Sequence, residues 1–81
     1  MITSAQLKAA RALLGMDQQA LAAAAGLSLP TIQRMERSGG NVRGNVDSLI
    51  KLIAALESAG VELINQDAPS LHGGRGVRLK T

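Results

Sequence analysis

The chain has no cysteine, no aromatic residue and one histidine among its 81 residues. Without cysteine there is no disulfide, no thiolate metal ligand and no thiol nucleophile, which fits a reducing compartment. His72 alone cannot assemble a multi-imidazole zinc site, and its glycine-rich surroundings offer no serine or aspartate at a useful spacing. No metal, cofactor or catalytic residue is therefore expected, and the chain is not read as an enzyme. The missing rings count against modules that stack single-stranded bases on Phe, Tyr or Trp, such as RRM, OB-fold and cold-shock domains. Long apolar runs are missing too. Ala20–Ala25 and Leu52–Leu56 fall far below the roughly 18–20 residues of a bilayer span. The opening MITSAQLKAA has no basic region leading into an apolar block, as a secretory signal would. The expectation is a cytoplasmic protein with no membrane partner.

What charge there is leans basic. Nine Lys and Arg against six Asp and Glu give a formal net charge of +3, a mild bias that serves solubility as well as binding. Its placement says more than its size. Arg34, Arg37, Arg43 and Lys51 fall in the middle of the chain, and Arg75, Arg78 and Lys80 near the end. A phosphate backbone attracts such clusters whatever the base sequence.

The spacing of apolar and capping residues predicts a mainly α fold of about four helices followed by a short C-terminal β-hairpin or strand pair. Thr3 with Gln6 three residues later makes a capping box, Leu7, Ala10 and Leu14 recur on one face, and Gly15 ends the first helix. Asp17 caps a second helix with Leu21, Ala22 and Ala25 inward and Gly26 as the break. Ser28 caps a third, where Pro30 is tolerated because first-turn amides need no intrahelical acceptor, and Ile32 and Met35 form the apolar side. A loop from Gly39 through Gly44 leads to Asn45, a cap followed by Asp47 in the first turn. The longest helix then places Leu49, Ile50, Ile53, Leu56 and Gly60 at three-and-four spacing, with Leu52, Ala55 and Ala59 widening its apolar face. After Gly60 the period changes to two. Val61, Leu63 and Asn65 alternate with Glu62 and Ile64, and Val77 and Leu79 with Arg78 and Lys80, around a loop over 65–76. The chain divides into a helical domain at 1–60 and a strand-loop-strand extension at 61–81. A lone hairpin is marginal in water. Leu52, Leu56, Val61, Leu63, Val77 and Leu79 are accordingly the candidate dimerisation residues.

Residues 17–37, DQQALAAAAGLSLPTIQRMER, hold the sharpest clue. Two short helices separated by Gly26-Leu27-Ser28, with small Ala22 where their backbones approach, suit a helix-turn-helix, although any helical hairpin could share the pattern. With Ala10-Arg11, Leu14-Gly15, Gln18, Leu21-Ala22, Ala25-Gly26, Ser28, Ile32, Met35-Glu36, the glycines after Arg37, and Leu49, Ile53 and Leu56, the sequence over about residues 4–58 resembles the Cro- and lambda-repressor-like helix-turn-helix family, or XRE family. The resemblance implies a lambda-repressor-like domain that binds double-stranded operator DNA as a homodimer.

Carried onto this chain, the resemblance implies a phosphate contact for Gln18 and a recognition helix beginning at Ser28, Leu29, Pro30 and Thr31. It also implies a structural ion pair between Arg11 and Glu36. Ser28, Leu29, Thr31, Gln33 and Arg34 are the candidate base contacts. Arg34 is the first choice, because its planar fork matches guanine O6 and N7. Gln18, Arg37, Arg43 and Asn45 are the candidate backbone contacts. One departure stands out: the family often places polar base readers where this chain has Leu29-Pro30. Leu29 can meet a thymine methyl and Pro30 can pack near one, but neither side chain donates a hydrogen bond to a base. The leading expectation is a sequence-specific transcriptional regulator, a dimeric repressor working in the major groove. The alternative is a regulator on the same fold that binds a protein partner, through its apolar tip or final strands, as an antitoxin-like or sequestering protein.

Overall fold

The computed structural model describes residues 2–64 and 76–80; the expectations for Asn65, His72 and Arg75 lie outside the described residues. Four helices are followed by two strands: α1 (Ser4–Leu14), α2 (Gln18–Ala25), α3 (Leu29–Glu36), α4 (Val46–Ala59), β1 (Val61–Ile64) and β2 (Gly76–Leu79). Each helix begins at the polar residue its sequence supplies. The side chains of Thr3, Asp17, Ser28 and Asn45 accept hydrogen bonds from the amides of Gln6, Ala20, Thr31 and Ser48, satisfying donors the helix itself leaves unpaired. α1 and α2 stop at Gly15 and Gly26, whose φ values of 66° and 69° lie in the left-handed region where a side chain would be strained. α3 ends differently, on Arg37 with ordinary right-handed geometry.

The inward faces meet in one core of Leu7, Ala10, Leu21, Ala22, Ile32, Met35, Leu49, Leu52, Leu56 and Val61. Ile2 and Val42 complete it, and no periodicity announces them. Ser4 N donates to Gly40 O at 2.8 Å and Val42 N to Ile2 O at 2.9 Å, around an antiparallel bridge between Thr3 and Asn41. This pairing joins the chain start to the loop before α4 and turns one apolar residue of each segment inward.

Two expectations for α4 need correction. Ile50 was placed on the inward face but is 61% exposed. The buried residues are Leu49, Leu52 and Leu56, and at about 100° per residue Ile50 falls outside the arc they define. Leu52, Leu56 and Val61, expected at a subunit surface, are fully buried within the chain itself. α2 and β1 cover α4, so Leu49, Leu52 and Leu56 are satisfied internally while Ile50 and Ala59 stay exposed. Of the candidate dimerisation residues, Leu63 and Val77 are half-buried against the core and Leu79 is 48% exposed.

β1 and β2 pair antiparallel, with Val61 opposite Leu79, Glu62 opposite Arg78, Leu63 opposite Val77 and Ile64 opposite Gly76. The strand period of two therefore sends Val61, Leu63, Val77 and Leu79 to one face and leaves Ile64 on the other with Glu62 and Arg78. On the other face Arg78 Nη2 meets Glu62 Oε1 at 2.7 Å, an exposed pair of small energetic worth. Gln6 fixes the hairpin to α1. Its Oε1 accepts from Thr3 N at 2.9 Å, while its Nε2 donates to Ile64 O at 2.9 Å and Gly76 O at 3.1 Å. At the opposite end Lys80 N donates to Gly60 O at 2.9 Å. Gln6 is thus both a cap and a clamp, and only the cap is visible in local sequence.

Gln6→Ala should leave those carbonyls without their donor and weaken the α1 cap, costing about 2 kcal/mol or more. Urea titration would give the loss. Amide exchange should accelerate more at Leu63 and Val77 than in α2; equal acceleration throughout would mean the clamp is not local.

Candidate nucleic-acid interface

α2 and α3 approach closely because the residues between them are small. Ala22 and Ala25 are buried, and Leu27 N donates to Ala22 O at 2.9 Å as the chain turns. α3 buries Ile32, Met35 and Glu36. Pro30, Arg34 and Arg37 are exposed, and Leu29, Thr31 and Gln33 are half-buried. At the amino end Ser28 Oγ accepts from Thr31 N at 3.2 Å and shares a 2.8 Å hydrogen bond with Thr31 Oγ1. These two hydroxyls, both candidate base readers, are engaged with each other and with the helix start.

Beyond the carboxyl end of α3 the surface forms a depression of about 540 Å³ lined by Arg34, Arg37, Ser38, Arg43 and Gly44. Among the described residues none of these arginines takes part in an ion pair. The structure therefore brings the base candidate Arg34 together with the backbone candidates Arg37 and Arg43. Gly44 lies tight against the core: a Cβ there would come within 3.0 Å of Met35 Cε. Ser38 shapes the rim, its hydroxyl donating to Met35 O at 2.7 Å and Asn41 O at 3.3 Å. Asn45 stands beside the depression rather than in its lining, its Oδ1 accepting from Ser48 N at 2.7 Å.

A second depression, of about 320 Å³, is lined by Lys8, Gln18, Gln33, Glu36 and Arg37. Arg37 borders both. Here Arg11 grips Glu36 with two hydrogen bonds, Nε to Oε2 at 2.6 Å and Nη2 to Oε1 at 2.9 Å, while its Nη1 donates to Met16 O at 3.1 Å. Gln18 Nε2 also donates to Glu36 Oε1, at 3.1 Å. The amide expected to face phosphate thus spends one hydrogen on the ion pair and retains another. Lys8 and Ser38 were missed by sequence reasoning. For Lys8 the available signal was its three-residue spacing from Arg11, which sets both on one side of α1. For Ser38 there was none.

The sequence profile of the helix-turn-helix family matches residues 7–63. The chain belongs to the helix-turn-helix family. No curated protein matches it. Membership suggests a DNA-binding regulatory role, and in a helix-turn-helix the second helix of the motif, here α3, presents its outer side to DNA. Arg34 and Arg37 lie on that outer side.

The scaffold of this helix-turn-helix carries a titrating group. Burial pushes the Glu36 carboxyl pKa up, but the hydrogen bonds from Arg11 and Gln18 and the positive charges of Arg11 and Lys8 outweigh it, leaving it below its ordinary value. The Arg11 guanidinium is raised, chiefly by its hydrogen bond to Glu36. A carboxyl depressed in the folded state contributes stability fully above its unfolded value, and that contribution is lost as pH falls through the folded value.

Stability should therefore fall as pH drops below the ordinary glutamate range near about 4.3, and Glu36→Gln should flatten that part of the profile in thermal melts from pH 7 to 2.5. Glu36 is 4% exposed and Arg11 22%. Arg11→Ala should cost about 2–4 kcal/mol at pH 7, somewhat less than breaking a fully buried pair. An unchanged melt would show that the pair is solvated and carries little.

Proposed function

We propose that this chain is a sequence-specific, double-stranded DNA-binding transcriptional regulator of the XRE type, acting in the cytoplasm as a dimeric repressor. The observation that carries this reading is the depression beyond α3, where Arg34, Arg37 and Arg43 converge with no carboxylate paired to any of them among the described residues. Three arginines lining one depression are suited to a polyanion. Their position at the end of the helix that would enter the major groove supports duplex DNA over other polyanions. In this reading Arg37 and Arg43 hold phosphates, helped by Lys8 and the remaining amide hydrogen of Gln18, while Gln33 and Arg34 reach base edges. Occupying the duplex then blocks promoter use without a bound effector.

A dimer would place two α3 helices in successive major-groove faces about 34 Å apart. With Leu52, Leu56 and Val61 buried, the hairpin holds the candidate dimerisation residues that remain open to a partner. Its two strands leave edges unpaired among the described residues, and Leu79 offers exposed apolar area. Leu79→Glu should shift sedimentation toward the monomer while keeping affinity for a single half-site. A wild-type protein already monomeric at high concentration would remove the dimer from the reading.

Selection from a randomised duplex library tests DNA binding directly. Paired half-sites one helical turn apart are expected. On the selected duplex, Arg37→Ala and Arg43→Ala should each weaken binding to all sequences and lower the salt slope by about one. Arg34→Ala should cost about 1–3 kcal/mol and relax preference at one base pair. A folded protein that enriches nothing would defeat the proposal and favour a protein partner.

A further inference from the structure

The outer side of α3 follows from its period. Pro30, Arg34 and Arg37 are exposed and recur at steps of four and three, which sets them along one line opposite the buried Ile32, Met35 and Glu36. The two arginines on that line border the basic depression. A duplex held against them therefore extends along α3 toward Pro30, with half-buried Leu29 about 100° round the helix from that line. The polar groups at this end are partly engaged: Ser28 Oγ accepts from Thr31 N and shares one hydrogen bond with Thr31 Oγ1, which uses one of the two hydroxyl hydrogens. Pro30 has no amide hydrogen to offer. What the tip of the helix presents is mainly aliphatic carbon.

Only one kind of base substituent in the major groove is aliphatic, the 5-methyl group of a pyrimidine. We propose that Leu29 and Pro30 form a methyl-reading tip that selects a 5-methylpyrimidine, thymine in ordinary DNA, at one position of each half-site. This rests on the DNA-binding reading above and assigns it a specificity element. Selection works in both directions. A methyl group set against Leu29 and Pro30 leaves water for an apolar contact, worth about 0.8 kcal/mol, or roughly four-fold in affinity. An amino or carbonyl edge set against the Leu29 and Pro30 side chains would lose its water and find no partner on them. Hydrogen-bond reading then falls to Gln33 and Arg34, one turn further along the helix.

The test uses the full chain and a duplex selected from the randomised library. Each thymine is replaced in turn by deoxyuridine, which deletes the methyl and leaves the pairing edge intact. At one thymine per half-site the replacement should weaken wild-type binding roughly four-fold, the worth of one buried methyl. The double variant Leu29→Ala, Pro30→Ala, shown folded by circular dichroism, should bind the thymine and deoxyuridine duplexes equally. If every deoxyuridine duplex binds wild type as well as its parent, or the variant keeps the preference, the methyl-reading tip is overturned while DNA binding stands. If the library yields no enriched duplex at all, both readings fall together. The wild-type series decides the matter even if the double variant does not fold.

Discussion

A carboxylate that is only 4% exposed must find its charge and hydrogen bonds inside the chain, and Glu36 finds them on two other helices. Arg11 comes from α1 and Gln18 from the start of α2, both meeting the last residue of α3. Removing either partner would leave Glu36 in surroundings that disfavour its charge. α3 is therefore held in direction as well as in depth. Apolar contact through Ile32 and Met35 alone would permit sliding or rolling, because dispersion and hydrophobic burial have little directionality. The fork of Arg11 accepts only one geometry, and with it the outward aim of Arg34 and Arg37 is set.

Around that knot the rest of the chain supplies support. The bridge between Thr3 and Asn41 carries Val42 into the core beside Ile2, and so fixes the segment that bears Arg43. Gly44 packs where no side chain could stand without moving Met35. The hairpin leans on α1 through Gln6 and on the end of α4 through Lys80. Of the residues making these contacts only Gly44 also lines the basic depression. The contacts fix the backbone from which Arg34, Arg37 and Arg43 project, and the exposed side chains keep their own rotamer entropy to lose on an anion.

The interface is uneven in its chemistry. Toward the carboxyl end of α3 it is cationic, with Arg34, Arg37 and Arg43 gathered on one depression and Lys8 and Gln18 on the next. Toward the amino end it is mainly aliphatic, with Leu29 and Pro30 at the tip, Ser28 Oγ on the helix cap and one hydrogen bond shared between the Ser28 and Thr31 hydroxyls. Positive charge gives affinity without sequence information, and the contacts that face base edges give the information. The proposed division of labour along one short helix follows from that difference.

Local sequence determined where the helices begin and end, since a cap at Thr3, Asp17, Ser28 or Asn45 acts on amides two or three residues away, and Gly15 and Gly26 act on their own backbone. It determined the hairpin too, because alternation after Gly60 is a local pattern. It also carried the family resemblance, and so the pair of Arg11 and Glu36, whereas the bond from Gln18 to Glu36 came only with the fold. Four outcomes were decided only by tertiary structure. Ile2 and Val42 are core, Ile50 is not, Leu52 and Leu56 are spent inside the chain, and Gln6 clamps a hairpin 58 and 70 residues away. Each depends on what lies opposite a side chain, and periodicity reports only which side chains share a face. The same reason hid Lys8 and Ser38: one exposed lysine or serine resembles any other until the fold sets it at the rim of a shared depression.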